Sequence, residues 1–167
     1  MPNDGVVSIV VAGLGGQGVL RASDILADAV FRAGFDVKKS EIHGMSQRGG
    51  SVTSDIRFGA EVLSPMAPDG EADFLVALAP DQVAPNRWRL RPGGIVLDPS
   101  LIDESLLRNK RSLNVAMLGA LSAFLSVPEE PWLAAIRANL AEKLHAANLA
   151  AFAAGRAAGK SLKESQP

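Results

Sequence analysis

Apolar residues fall in short runs along this chain, separated by glycine, proline and charge. The run Val6-Val7-Ser8-Ile9-Val10-Val11-Ala12 is continuous and rich in β-branched side chains, which predicts a buried strand. Beyond Gly13-Leu14-Gly15-Gly16-Gln17-Gly18 the period becomes helical. Leu20, Ile25, Leu26, Ala29 and Val30 make one stripe, and Arg21, Asp24, Asp28 and Arg32 a solvated side. This helix is expected from Gln17 or Gly18 to about Ala33, closed by Gly34 in a left-handed conformation. Residues 35–42 read as a moderately apolar strand. In residues 51–58 the alternation places Val52, Ser54, Ile56 and Phe58 on one face of another. Residues 61–64 are expected as a short strand, residues 72–79 as a strand buried on both faces, and residues 95–98 as a further buried strand. Pro80 opens a helix through about Leu90. The last third is helical: a helix from Asn114 as its cap, with an apolar face through Leu125, one from Pro128 to about Leu144, and an Ala-rich one over residues 146–158.

Strands interleaved with helices predict an α/β fold, a single Rossmann-like three-layer domain with a mostly parallel sheet and Ala-rich C-terminal helices. The chain's 167 residues suffice for one domain with a full core. Residues 1–159 are expected to form it, with 160–167 a frayed tail. The passage into residue 51 without an intervening helix departs from a plain βαβ repeat. Alanine takes the place of aromatics, which make up only 5% of the chain, so helix backbones can approach closely. Such helices pack against another subunit, or are simply stable helices.

Charge and composition narrow the chemistry. A net charge of −1 gives no electrostatic case for nucleic acid or an anionic membrane. There is no cysteine, hence no disulfide and no thiolate ligand, and any iron–sulfur cluster has to lie on another chain. No basic leader precedes the first apolar run, which is too short to span a bilayer, and a cytoplasmic location is expected. The two histidines, His43 and His145, stand in no metal-ligand spacing, and His145 is expected at the surface. No nucleophile elbow or P-loop lysine is present, and no side chain qualifies as catalytic.

Two stretches carry chemistry. Gly13, Gly15 and Gly18 stand at the G-x-G-x-x-G spacing between a predicted strand and a predicted helix. Gly13 permits a tight turn, Gly15 the approach of a phosphate, and Gly18 close helix–strand contact. Backbone N–H groups over Gly13, Leu14, Gly15, Gly16, Gln17 and Gly18 favour an anion there, unless the glycines serve only to pack helix on sheet. With Glu41 on a ribose, the same loop would make a free-standing NAD- or flavin-binding oxidoreductase; the alternative for Glu41 is a solvated or hydrogen-bonded carboxylate. The second stretch is His43-Gly44-Met45-Ser46-Gln47-Arg48-Gly49-Gly50, without amphipathic period. Its Arg48 can grip a carboxylate or phosphate through a forked pair of bonds, and its His43 can titrate near neutrality. The plain alternative is a glycine-rich connection whose Arg48 salt-bridges a neighbouring acid. Arg87, Arg89 and Arg91 are accounted for by a helix C-terminus and receive no ligand.

In order, G-L-G-G-Q-G-V-L, E-I-H-G-M-S-Q-R-G-G-S-V and N-V-A-M-L-G-A-L resemble the gamma domain of the 2-oxoacid:ferredoxin oxidoreductases. As a free-standing chain it looks most like the beta subunit of the indolepyruvate ferredoxin oxidoreductases. The resemblance runs from about Val6 to Gly155 and takes in Lys143, Asn148 and Phe152. It implies a subunit, inactive alone, of an enzyme that oxidatively decarboxylates a 2-oxoacid to an acyl-CoA and passes electrons to ferredoxin. It further implies thiamine diphosphate, Mg and iron–sulfur clusters on a partner alpha subunit, coenzyme A as co-substrate, and a homo- or hetero-oligomeric assembly. On this resemblance Gly13–Gly18 become the cofactor-facing loop. His43, Met45, Ser46, Gln47 and Arg48 become a substrate or interdomain contact.

Overall fold

The computed structural model describes residues 5–43 and 50–167, with the backbone alone at His43. Five strands, β1 (Val7–Leu14), β2 (Asp36–His43), β3 (Ser51–Gly59), β4 (Ala72–Ala77) and β5 (Leu90–Leu97), form one sheet ordered β2-β3-β1-β4-β5. β1 pairs parallel with β4, and β4 with β5, while β3 is antiparallel to both β1 and β2. The sheet is therefore mixed, which corrects the expectation of a mostly parallel one. The cause is the short link over residues 44–50: a parallel crossover needs a dozen or more residues, so β3 returns antiparallel to β2.

The helices are α1 (Val19–Arg32), the one-turn α2 (Val83–Asn86), α3 (Leu113–Ser122), α4 (Glu129–Asn139) and α5 (His145–Ser165). The strand pattern decides where they pack. Ile9, Val11, Ile56, Val76 and Leu97 share one face and one core with Ile25 and Leu26 of α1, Leu118 of α3, Trp132 of α4 and Phe152 of α5. The opposite face offers Val10, Ala12 and Leu75, and is covered by Ala67 and Leu90 from short segments. The third layer is thus thin.

That thin layer is held by buried charge. Arg89 Nη2 donates to Asp55 Oδ2 at 2.5 Å, and the N–H of Ala67 donates to the same oxygen at 3.2 Å. Arg91 Nε donates to Asp73 Oδ1 at 2.7 Å, while Asp73 Oδ2 accepts from the N–H of Ser8 at 2.8 Å. Arg57 reaches Ser8 Oγ and the carbonyl of Ser64, each at 3.0 Å. Two readings change accordingly. Arg89 and Arg91 answer carboxylates on β3 and β4 rather than a helix dipole. The segment expected as a helix from Pro80 is broken into a 3-10 turn, α2 and a second 3-10 turn, and β5 begins at Leu90. Residues 61–64 form no strand; they are part of a loop fixed by Val62 N–H donating to Asp36 Oδ2 at 2.7 Å.

Every residue of α3 from Asn114 to Ser122 is buried, as a helix apolar on all sides between those two polar residues requires. Its close neighbour is α5. A Cβ at Gly155 would stand 2.6 Å from the carbonyl carbon of Ala116, and one at Gly159 2.8 Å from Cα of Ala120. Gly119 faces Phe152 and Arg156 in the same way. These four-residue steps seat the two helices backbone to backbone. Helix α4 ends at Asn139, short of the expected Leu144, and α5 continues through Ser165. Residues 160–165, expected to fray, are helical, and Leu162 packs against the core.

Candidate functional site

The site lies where the C-terminal ends of β1 and β4 diverge. The chain leaves β1 for α1 on the thick face and leaves β4 for α2 on the thin one, with Leu78 N–H still bonded to the Ala12 carbonyl at 2.8 Å. Such a divergence opens a crevice beyond the strand ends, the place where open α/β sheets bind ligands.

The glycine loop forms one wall of the crevice. Gln17 closes it from within: its Oε1 accepts the N–H of Leu14 at 2.7 Å, and its own N–H donates to the Leu14 carbonyl at 3.1 Å. Gly15 N–H donates to the carbonyl of Gly50 at 2.9 Å. The N–H groups of Gly16, Gly18, Val19 and Leu20 have no partner among the described residues, as expected for a first helical turn. The left-handed conformations fall at Gly16 (φ 88°) and Gly18 (φ 80°). Gly13, expected at the turn, is instead a strand residue whose Cβ would meet Val19 Cγ2 at 2.7 Å and Leu78 Cβ at 3.2 Å. Gly18, expected against the strand, faces α3: a Cβ there would lie 2.5 Å from Asn114 Nδ2. Asn114 is not the cap of α3 but a buried tie, donating from Nδ2 to the Gly18 carbonyl at 3.1 Å.

Strand register sets the second motif beside the first. Ser51 stands opposite Leu14, Val52 opposite Gly13, and His43 opposite Val52. The C-terminal end of the second loop, at Gly50 and Ser51, therefore abuts the glycine loop, while His43 stands two strands from β1. Met45, Ser46, Gln47 and Arg48 lie outside the described residues, as does the side chain of His43. Glu41 is exposed on β2 and accepts from Lys39 Nζ at 3.1 Å. Glu41 stands opposite Ser54, which stands opposite Val11, so about 10 Å of sheet separates it from β1 alone, and the glycine loop lies further along that strand. Asp24 also pairs with Lys39; burial opposes the charge of this amine, but hydrogen bonds to Asp24 and Glu41 outweigh it and raise its pKa. This acid pair engages a lysine, and the ribose-binding arrangement of a dinucleotide fold is not assembled. His145, expected at the surface, is half-buried and bonds from Nε2 to the carbonyl of Leu140 at 2.8 Å.

Two hollows flank the loop. One, of about 400 Å³, is lined by Leu14, Gly15, Val19, Arg21 and Val52. The other, of about 600 Å³, lies in the crevice between Gly16, Gln17, Leu78, Lys110, Arg111 and Asn114. Lys110 and Arg111 did not figure among the candidates; the signal was the basic run Arg108-Asn109-Lys110-Arg111 just before the α3 motif. Among the described residues no group of three His, Cys, Asp or Glu could hold a metal ion, and no helix is long and apolar enough to cross a membrane.

Comparison with known proteins follows the same outline. The family model "Pyruvate ferredoxin/flavodoxin oxidoreductase" matches residues 8–102 and 100–158. Indolepyruvate oxidoreductase subunit IorB of Thermococcus kodakarensis is 44% identical over 89 residues, covering 53% of this chain and 44% of that protein. The chain thus matches under half the length of that relative. The subunit of the same name from Methanothermobacter thermautotrophicus is 34% identical over 89% of this chain and 95% of its own length. Among solved structures, the keto/oxoacid ferredoxin oxidoreductase gamma subunit of Geobacter sulfurreducens superposes with a TM-score of 0.78 at 22% identity, covering 94% of this chain and 98% of that one. The 2-oxoglutarate:ferredoxin oxidoreductase of Magnetococcus marinus, solved with 2-oxoglutarate, coenzyme A and succinyl-CoA bound, gives 0.79 at 24% identity, covering 97% of this chain and 32% of that one.

Proposed function

This chain belongs to the pyruvate ferredoxin/flavodoxin oxidoreductase family, and from that premise we propose that residues 1–159 act as the gamma-type subunit of a 2-oxoacid:ferredoxin oxidoreductase. Its substrate on this reading is indolepyruvate or another aryl pyruvate, which the names of the IorB relatives support. The reaction takes a 2-oxoacid and coenzyme A to an acyl-CoA, carbon dioxide and a proton, with two electrons leaving to ferredoxin. Thiamine diphosphate with its Mg supplies the decarboxylation chemistry, and iron–sulfur clusters the electron path. The sequence offers no cysteine to a cluster, which supports placing these groups on a partner. Both are assigned to the partner alpha subunit.

What this chain contributes is the crevice, the observation that carries the reading. Its loop amides at Gly16 and Gly18 are unpaired beside a hollow that no carboxylate lines among the described residues, a setting that suits the phosphates of coenzyme A. The substrate or interdomain contact is assigned to His43, Met45, Ser46, Gln47 and Arg48 on the resemblance of their motif. The test is to express the chain with its chromosomal neighbours and assay dye reduction dependent on both a 2-oxoacid and coenzyme A. Activity that requires this chain supports the reading. A chain that captures no neighbour and carries a nucleotide by itself refutes it.

A further inference from the structure

We propose that a hollow at the other end of the sheet binds a planar aromatic carboxylate, its ring among four phenylalanines and its charge on Arg91; this does not depend on the reading above. The hollow holds about 280 Å³ and lies where β1 and β4 begin, beside the link from α3 to α4. β1 spans eight residues, so at about 3.3 Å per residue roughly 20 Å of strand separates this hollow from the glycine loop. Aromatics are 5% of the chain, yet four of its six phenylalanines, Phe35, Phe58, Phe74 and Phe124, line this one space. They stand as two edge-to-face pairs, Phe35 with Phe58 at 5.2 Å between ring centroids and Phe74 with Phe124 at 6.0 Å. A further ring can extend either pair by the same contact. An apolar cavity of about 150 Å³ takes one benzene, so this volume admits two fused rings with a short side chain.

The polar lining selects the charge of the ligand. Asp73 and Arg91 are the ionised groups that line the hollow, and they are unequally exposed: the side chain of Arg91 is 37% accessible and that of Asp73 only 5%. Both oxygens of Asp73 are engaged, Oδ1 by Arg91 Nε at 2.7 Å and Oδ2 by the N–H of Ser8 at 2.8 Å. Arg91 Nη1 donates to the carbonyl of Pro92 at 3.1 Å, and Nη2 has no partner among the described residues. A ligand entering the hollow therefore meets the guanidinium, not the carboxylate. Asp73 holds that guanidinium through Nε and leaves its outer N–H groups to a second carboxylate, which an arginine fork binds by charge-assisted hydrogen bonds. A neutral aromatic or an alicyclic acid would satisfy one half of this lining and not the other.

The experiment titrates the full chain calorimetrically with naphthylacetate, against naphthylacetamide, which lacks the charge, and cyclohexylacetate, which lacks the aromatic ring. The naphthyl acid is expected to bind saturably, one per chain, at millimolar concentration or below. The amide should bind about tenfold more weakly, and the alicyclic acid about fivefold more weakly. These comparisons leave the protein unaltered, so none of them depends on the folding of a variant. Phe124→Leu, with a circular dichroism spectrum matching the parent, should weaken the naphthyl acid about fivefold. Coenzyme A should not displace the ligand, because the crevice lies at the far end of β1. Absence of saturable binding, equal affinity for acid and amide, unchanged affinity in the folded Phe124 variant, or displacement by coenzyme A would each overturn the assignment.

Discussion

Replacing Gly155 by alanine tests the α3–α5 contact through the sign of its effect. In an isolated helix the change is favourable by about 1 kcal/mol, because glycine loses more backbone freedom on folding. Here the added Cβ would lie 2.6 Å from the carbonyl carbon of Ala116, and nearer still to its oxygen. Carbon atoms rest at roughly 3.5–4.0 Å, so the helices have to part by about 1 Å. The obstacle is backbone, which cannot swing aside as a side-chain end could, so the cost belongs at the upper end of overpacking, about 3 kcal/mol. Separation also loosens the neighbouring contacts of Gly119 with Phe152 and Gly159 with Ala120. The net is a loss of about 2 kcal/mol, or a Tm lower by roughly 4–8 °C for a chain of this size. Ala157→Gly on the exposed side of the same helix supplies the control, expected to lower Tm by roughly 2–4 °C through propensity alone. Thermal unfolding followed by circular dichroism reads both. A Gly155→Ala variant melting at or above the parent would show that the helices are not seated on this glycine.

Two further outcomes follow from the polar side of the sheet. Asp55→Asn leaves Arg89 buried without its counter-charge and should destabilise the chain by about 3–5 kcal/mol, whereas joint replacement by Asp55→Leu and Arg89→Met should recover much of that, as denaturant titration of both variants would reveal. The Val62 N–H, the main cause, together with the Lys38 ammonium, lowers the pKa of Asp36 below its ordinary 3.8. Its contribution is therefore complete above the unfolded-state value and is lost as pH falls through the lower folded one. Stability measured from pH 5 to pH 2 should fall less steeply in Asp36→Asn than in the parent, and identical acid limbs would contradict this.

Much of the fold was legible because local pattern and tertiary placement agree. The continuous β-branched run of β1 and the stripe of α1 correspond to strand and helix within a residue or two. The reversed β3 was less so: residues 51–58 show a strand's alternation, but alternation does not encode direction, and only the shortness of the preceding link did. Arg89 and Arg91 misled for a different reason. Their partners Asp55 and Asp73 lie 34 and 18 residues away in sequence, so a local rule about helix ends explained charges that the sheet brings into contact. Residues 160–165 were judged by polarity, yet one apolar contact at Leu162 suffices to extend a helix already nucleated on α3.

The site shows the same division, and Asn114 shows why. An asparagine ahead of an apolar helical run is a sound local signal for a cap. Folding places it instead against Gly18, 96 residues earlier, where its amide and the missing Cβ of the glycine occupy one small space. A larger side chain at either position would part the first turns of α1 and α3 and widen the crevice. The glycine spacing is thus legible as a motif, but its meaning is shared: Gly13 and Gly18 are small because the protein packs on them, whereas Gly16 has open space around its Cβ position and is the glycine that the proposed function needs. Lys110 and Arg111, which line the same hollow, were invisible to motif reading because two basic residues on a turn have no period. They come to the hollow only because α3 is tied through Asn114 to the glycine loop.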